Sequence, residues 1–446
     1  MARPLLWAAL MCISLTLSPC AGIHLELTHV DAKEKCSVEE RLRRAAERTH
    51  RRLASMADGV SVTAPVHWAG TNQYIAEYLI GEPPQPAEAI IDTGSNLVWT
   101  QCSTCSPSRC FPQNLPIYDP FQSRTAQSVA CNDTACALGS ETQCTRDNKG
   151  CAVLTSYGAG DIAGVLGTEV FTFGSENVSL AFGCITASRF TPPDALNNAS
   201  GIIGLGRGNL SLVKQLGETK FSYCLTPYLS DAANTSHLFV GASAALSGGT
   251  GAPVTTVPFV ESPSEDPFNT FYYLPLAGIT VGTTKLAVPA AAFELRQVAP
   301  GPGQWTGTFI DSGTPYTSLA DVAYQALRTE LEQQLGADSL VPPPAAASDI
   351  GAELCVASGN FSLVPNLTLN FGSGGGDLVV PPENYWAPVD SATECMVVFS
   401  SAEPNGTLAT NETTIIGNYM QQNMHLLYDL DNGVLSFQQA DCSSMG

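Results

Sequence analysis

Basic side chains are scarce in this sequence. Its 446 residues hold 20 Lys and Arg against 41 Asp and Glu, a net charge of −21. Residues 1–60 carry 9 of the basic and 7 of the acidic residues, so residues 61–446 keep 11 and 34, a net −23. That surface excludes nucleic-acid binding, which needs a basic footprint. It suits work in acid, where carboxylates protonate and self-repulsion falls. Charge of either sign is sparse, 14% of residues against 44% hydrophobic, which excludes a disordered acidic chain. There are six histidines. No Gly-X-Ser-X-Gly elbow and no His-Glu-X-X-His occurs, so a serine hydrolase and a metal hydrolase both lack their signatures. Long apolar runs are missing too. Leu5 to Leu17 is too short for a comfortable membrane span, and no later run reaches about 18 apolar residues. The polar end Cys442-Ser443-Ser444-Met445-Gly446 argues against a lipid-anchor tail. Helical patterns are few, Asp321 to Leu335 being the best of them.

Glycine and proline are plentiful, 39 and 30 residues. From Val66 onward they punctuate short apolar runs such as Tyr74 to Ile80 and Val165 to Phe173, which predicts an all-β architecture. The length is enough for two domains. Residues 1–21 read as a secretory signal, with Arg3, an apolar core and the small residues before Ala21. The 15 cysteines fit that compartment. Cys12 and Cys20 fall in the signal and Cys36 shortly after it, leaving twelve, enough for six disulfides. Seven of them lie between Cys102 and Cys151. Zinc at Cys102-Ser103-Thr104-Cys105 lacks a downstream Cys/His pair, so a disulfide-stapled loop is the reading, and neither metal nor cofactor is expected. Cys355 and Cys395 stand alone between Asp311 and Cys442 and are natural partners. Asn132, Asn177, Asn198, Asn234, Asn360, Asn366, Asn405 and Asn411 open glycosylation sequons. Asn209 opens another, but is expected bare because it reads as packed near the core.

Residues 22–62 differ in character. Ser37-Val38-Glu39-Glu40 is a capping box for a charge-rich helical stretch, Glu40 to Met56, holding Arg41, Arg43, Arg44, Arg48, Arg51 and Arg52. A basic segment of this kind can dock on an acidic cleft and loosen when the carboxylates protonate. The stretch reads either as a solvated helix or as an inhibitory propeptide cut near residues 57–66.

The strongest signal is a repeat. Ala89-Ile90-Ile91-Asp92-Thr93-Gly94-Ser95 is echoed by Thr308-Phe309-Ile310-Asp311-Ser312-Gly313-Thr314. Each is followed about a hundred residues later by a hydrophobic-hydrophobic-Gly, at Gly201-Ile202-Ile203-Gly204 and Thr414-Ile415-Ile416-Gly417. Asp-Thr-Gly alone is ordinary turn chemistry. Two copies in matching surroundings imply a pseudo-twofold axis that brings two carboxylates together. Such a pair shares one proton, so its ionised member can take a proton from water while the other donates to a carbonyl. The hydroxyls of Thr93, Ser95, Ser312 and Thr314 can brace the two loops, and Gly94 and Gly313 let their backbone approach.

These residues resemble the pepsin-type aspartic peptidases, and most of all the nepenthesin-like group of plants. The resemblance extends through Ile91 to Cys102, Phe182-Gly183-Cys184, Gly201 to Gly208, Phe221-Ser222-Tyr223-Cys224-Leu225 and Ile415 to Leu430. It implies a bilobal β fold with the cleft between lobes, 63–244 and 269–446, linked by residues 245–268. It implies a Cys-rich insertion at about 102–151 and a flap whose tip carries Tyr157 and Gly158, with Trp99 hydrogen-bonded to the tyrosine. It also implies an acid endopeptidase with Asp92 and Asp311 catalytic. Protein or peptide substrates and its own propeptide are then the partners of a monomer that is secreted to the apoplast or sent to the vacuole. The rival reading is a glycosidase-inhibitor-like binding protein on the same fold. Pro315-Tyr316 departs from the usual pattern and is expected to reshape the pocket beside it.

Overall fold

The computed structural model describes residues 22–33, 37–57, 73–158, 160–191, 193–227, 229, 235–246, 252–299, 304–372, 374–402 and 407–445. The expected signal, Cys36, residues 58–66 of the expected cleavage region, Ala159 at the flap tip, Asn234 and Asn405 lie outside these.

Ala89-Ile90-Ile91 is apolar on both faces, so it forms a strand covered on both sides, Gln85–Asp92. Gly201–Gly204 runs parallel to it, with Ile202 opposite Ile90 and Gly204 opposite Asp92. The other edge of Gly201–Gly204 pairs antiparallel with Val98–Gln101, which lies parallel to Glu176–Phe190. The second half repeats the scheme. Thr414–Ile416 runs parallel to Thr308–Ile310 and meets Thr317–Leu319 antiparallel, and Thr317–Leu319 lies parallel to Val398–Ser400. The repeat in sequence is therefore a repeat in topology: an acid-bearing strand, a loop, and a hydrophobic-hydrophobic-Gly strand laid back beside it.

One large sheet joins the halves. Lys220–Cys224 pairs with Met424–Asp429, and Phe221 stacks on Tyr428 with centroids 4.3 Å apart. The Tyr223 and Tyr428 hydroxyls bond at 2.8 Å in this seam. Part of the expected linker is itself a strand of this sheet. Its β-branched Thr255–Pro258 pairs with Val434–Gln439. The helix Asp321–Leu335 buries Ala323, Tyr324, Leu327, Leu331 and Leu335, a stripe at helical spacing.

Residues 22–33 and 37–57 are built into this frame. Ile23, Leu25 and Leu27 alternate with outward residues, and Ile23–His29 is a strand between Ser236–Val240 and Tyr74–Ile80. The charge-rich segment thus begins as a full member of the sheet. Its helix, Val38–Ala57, starts where Ser37 Oγ accepts from the Glu40 N–H at 3.2 Å. Glu40–Arg44 (2.8 Å) and Arg43–Glu47 (2.5 Å) pair along one face, and Leu42, Ala45 and Ala46 are buried on another. Asp31 at the joint between strand and helix is fully buried. It takes Arg48 at 3.3 Å, Arg44 at 3.4 Å and the Asn197 side-chain amide at 2.9 Å.

The twelve described cysteines form six pairs: Cys102–Cys184, Cys105–Cys110, Cys131–Cys144, Cys136–Cys151, Cys224–Cys442 and Cys355–Cys395. Asn132, Asn177 and Asn366 are exposed; Asn198, Asn360 and Asn411 are half-buried. Asn209 is exposed, against the expectation of a packed position. The helix beside it is only Leu212–Gln215, and its buried side chains are Leu212 and Val213, while Asn209 lies in the turn before it.

Candidate active site

The two acid loops meet. Asp92 is 3% exposed and Asp311 is fully buried. Each carboxylate is gripped by its own loop in the same way. Gly94 N–H donates to Asp92 Oδ1 at 3.0 Å, and Ser95 Oγ donates to Oδ2 at 2.5 Å. Gly313 N–H donates to Asp311 Oδ1 at 2.9 Å, and Thr314 Oγ1 donates to Oδ2 at 2.7 Å. The loops are also cross-linked. Thr93 N–H donates to Ser312 Oγ at 3.1 Å, and Ser312 N–H donates to Thr93 Oγ1 at 2.8 Å. Both glycines are demanded by close approach. A Cβ on Gly313 would lie 2.2 Å from Asp92 Oδ1, and one on Gly94 would lie 2.8 Å from Asp311 Oδ2. Each acid therefore packs on the other loop's glycine.

Sequence reasoning missed the second layer. Asn418, just after the second hydrophobic-hydrophobic-Gly, donates from its side chain to Ser312 O at 2.9 Å. Gln421 donates to Asp311 O at 3.3 Å, and Gln73 donates to Gly313 O at 2.8 Å. Asn96, directly after Ser95, accepts from Gly208 N–H at 2.8 Å and donates to Thr270 Oγ1 at 3.0 Å. Adjacency to the repeat was the only mark on Asn96 and Asn418, and Gln73 lacked even that. Their polar side chains are the partners that buried loop backbone requires.

Trp99 Nε1 donates to the Tyr157 hydroxyl at 2.9 Å. Tyr157 pairs with Gly160 at the end of the hairpin Cys151–Tyr157 and Gly160–Phe173. Tyr316 is fully buried, its ring edge-on to Tyr419 and against Phe399, and its N–H donates to Thr49 Oγ1 at 2.8 Å.

The helix Val38–Ala57 touches both the Tyr157 hairpin and the acids. A Cβ on Gly158 would meet the Arg51 carbonyl oxygen at 2.7 Å, so this end of the hairpin lies on the helix backbone. Arg52 Nε is 2.9 Å from Asp311 Oδ2, and its Nη2 is 3.7 Å from Asp92 Oδ1. Its guanidinium also sits 5.6 Å from the centre of the Phe271 ring. Burial alone would lower the Arg52 pKa, but the two carboxylates outweigh burial and hold it above its ordinary value. Burial pushes the Asp92 carboxyl up to about 6, with Arg52 pulling it down and Asp311 adding to the rise. A buried carboxyl that keeps its proton in mild acid, beside a second carboxyl, is the arrangement needed to activate water against a carbonyl.

Comparison with known proteins places this geometry. Residues 74–242 match the family model described as xylanase inhibitor N-terminal, and residues 271–439 match its C-terminal counterpart. Nepenthesin-1 of Nepenthes gracilis, an aspartic proteinase, is 37% identical over 95% of this chain and 91% of its own. The chain belongs to the nepenthesin-like group of pepsin-type aspartic peptidases. This peptidase is thus an aspartic-type endopeptidase, a hydrolase acting on peptide bonds. Nepenthesin-2 of the same plant is 34% identical over 96% of this chain and 91% of its own. The crystal structure of basic 7S globulin from soybean superposes with a TM-score of 0.64 at 17% identity, covering 96% of this chain and 99% of that one. That likeness extends the pepsin-like two-lobed fold to this peptidase. Among the described residues no helix is long and apolar enough to cross a membrane.

Proposed function

We propose that Asp92 and Asp311 are the catalytic pair of a secreted acid endopeptidase, and that the structure is its inhibited precursor. In this reading residues 1–21 are the signal, 22–62 the propeptide, and 63–244 and 269–446 the lobes of a monomer. The observation that carries the reading is Arg52. Among the described side chains of the helix Val38–Ala57 it is the one whose charge reaches both acids, and it stands where a substrate carbonyl and the attacking water would belong. Acid unlocks it in two steps. The pair first takes up a shared proton, which the raised Asp92 supports, and one negative charge is left facing Arg52. A second proton then removes the attraction. Once the segment leaves, the ionised member takes a proton from water and the protonated one donates to the carbonyl. Tyr157, held by Trp99, closes over the substrate.

Secreted protein incubated near pH 4 should lose residues up to about 57–66 and gain activity that pepstatin blocks. N-terminal sequencing before and after reads the conversion. An unchanged N-terminus with full activity throughout refutes the precursor. The second reading, a peptidase-like binding protein, is favoured by the xylanase-inhibitor description of both family models. It takes over if folded, processed protein cleaves no denatured protein substrate between about pH 2 and 6.

A further inference from the structure

Five of the six histidines fall among the described residues, and their placement is not random. His24, His29 and His50 are on residues 22–57. His237 is on the strand Ser236–Val240 that pairs with Ile23–His29. His425 continues the same cross-strand row, with Cys224 between it and His237. Three of these rings surround one phenylalanine. Phe239 has His24 stacked at 4.4 Å, His425 at 5.9 Å and His237 at 6.0 Å. His24 Nε2 and His237 Nδ1 are 2.9 Å apart, a hydrogen bond between the propeptide strand and the body of the sheet. His425 Nε2 bonds Ser222 Oγ at 3.0 Å. The outer nitrogens, His237 Nε2 and His425 Nδ1, are buried without a hydrogen-bond partner among the described residues.

We propose that the imidazoles of His24, His237 and His425 around Phe239 are an acid sensor that releases the strand Ile23–His29 from the sheet. The chemistry is in the hydrogen bond. An imidazole pair bonds N to N only while one ring keeps a lone pair there. The first proton is tolerated, because the imidazolium donates to its neutral neighbour. The second leaves two facing N–H donors and two like charges in contact, with His425 adding a third charge behind them. Burial, then the neighbouring His24, holds His237 below its ordinary range, although Glu26 works the other way. Burial, then His237, holds His425 down at about 4. A base whose folded pKa is lowered lends stability that is present above its ordinary pKa, about 6.5, and is lost as pH falls through the folded value. The docked strand therefore weakens across that window.

The acids around the cluster do not cancel this. Glu26 opposes His237 from the departing strand itself and is exposed. Glu77 and Glu88 oppose each other on the two strands beyond it. Asp441 lies beside Cys442, whose disulfide partner Cys224 separates His237 from His425. The sensor is separate from Arg52 and its acids, which hold the helix end of the same segment.

The proposal rests on the precursor reading, and the test keeps the two apart. In full-length chains carrying Asp92→Asn, which blocks self-cleavage, amide exchange at residues 23–29 and 236–240 is followed from about pH 7 to 3.5 and corrected for intrinsic rates. Protection should be lost with a midpoint between about 6.5 and 4. His24→Phe, which keeps the stack on Phe239, and His24→Gln, which keeps a neutral hydrogen-bonding group, should each lower that midpoint by about one pH unit or more. An unchanged midpoint in both variants overturns the sensor. Conversion assays on the same variants with Asp92 restored separate the readings. Acid conversion with one common midpoint sinks the sensor and leaves the precursor standing. A wild type that never converts sinks both.

Discussion

Replacing Arg52 by alanine in the full-length chain should uncover the acids without undocking the segment. The Arg52 side chain is 13% exposed, and its guanidinium lies 2.9 Å from Asp311 and 3.7 Å from Asp92. Removing one member of a buried ion pair costs about 3–5 kcal/mol when the other is left stranded. Here the stranded carboxylates can share a proton, which relieves part of that and leaves about 2–3 kcal/mol. The lost contact with Phe271 adds roughly 0.5–1 kcal/mol. A total near 3 kcal/mol raises the open fraction of the cleft on the order of 100-fold. The Asp31–Arg48 pair and the strand Ile23–His29 are untouched, so the segment stays attached. Initial rates on a short peptide at about pH 6, with mass spectrometry to exclude prior cleavage, read the effect. Arg52→Lys should fall between wild type and alanine, because an ammonium keeps the charge but not the fork that spans both acids. An Arg52→Ala precursor as silent as wild type, with an unchanged conversion pH, refutes the reasoning.

Asp92→Asn and Asp311→Asn should each abolish hydrolysis in the processed enzyme, and the double variant should be little worse, because the two act as one unit; pH–rate profiles with melting curves check this. The raised Asp92 pKa lends stability that is present below the ordinary carboxylate range and is lost as pH rises through about 6, so the melting-temperature advantage of Asp92→Asn over wild-type precursor should grow from pH 4 to pH 7. Gly313→Ala should lower kcat by more than about 100-fold, since its methyl group would sit 2.2 Å from Asp92 Oδ1; wild-type rates would show that the loops are looser than described. Opening Cys355–Cys395, which closes a 40-residue separation, should cost about 4 kcal/mol in the chain-entropy model, read by denaturant unfolding of the double serine variant.

What the sequence disclosed and what it hid divide along a physical line. The acid loops were legible because two demands coincide there. Strands covered on both faces must be apolar, and the turn that follows needs a hydroxyl and a glycine, so Ile91-Asp92-Thr93-Gly94 and Ile310-Asp311-Ser312-Gly313 repeat almost letter for letter. The helix Asp321–Leu335 was legible from its 3.6-residue stripe. Residues 22–29 were harder, because their alternation is only Ile23, Leu25, Leu27 and stands beside a run of charges that points to solvent. Nothing local says that Ser236–Val240 is the partner, since pairing across more than 200 residues leaves no trace in either segment. The same holds for Thr255–Pro258, where glycine and alanine on its flank suggested a crossing while its own β-branched residues fit a sheet edge. The role of Arg52 was hidden for a different reason. Arg41, Arg43, Arg44, Arg48, Arg51 and Arg52 are alike in sequence, and the helix assigns their fates by angle. Arg43 faces Glu40 and Glu47 at the surface, Arg48 turns inward to Asp31, and Arg52, one turn further along, arrives at the acids. A basic cluster thus resolves into a surface pair, a buried pair at the joint with the strand, and an arginine held between the two acids.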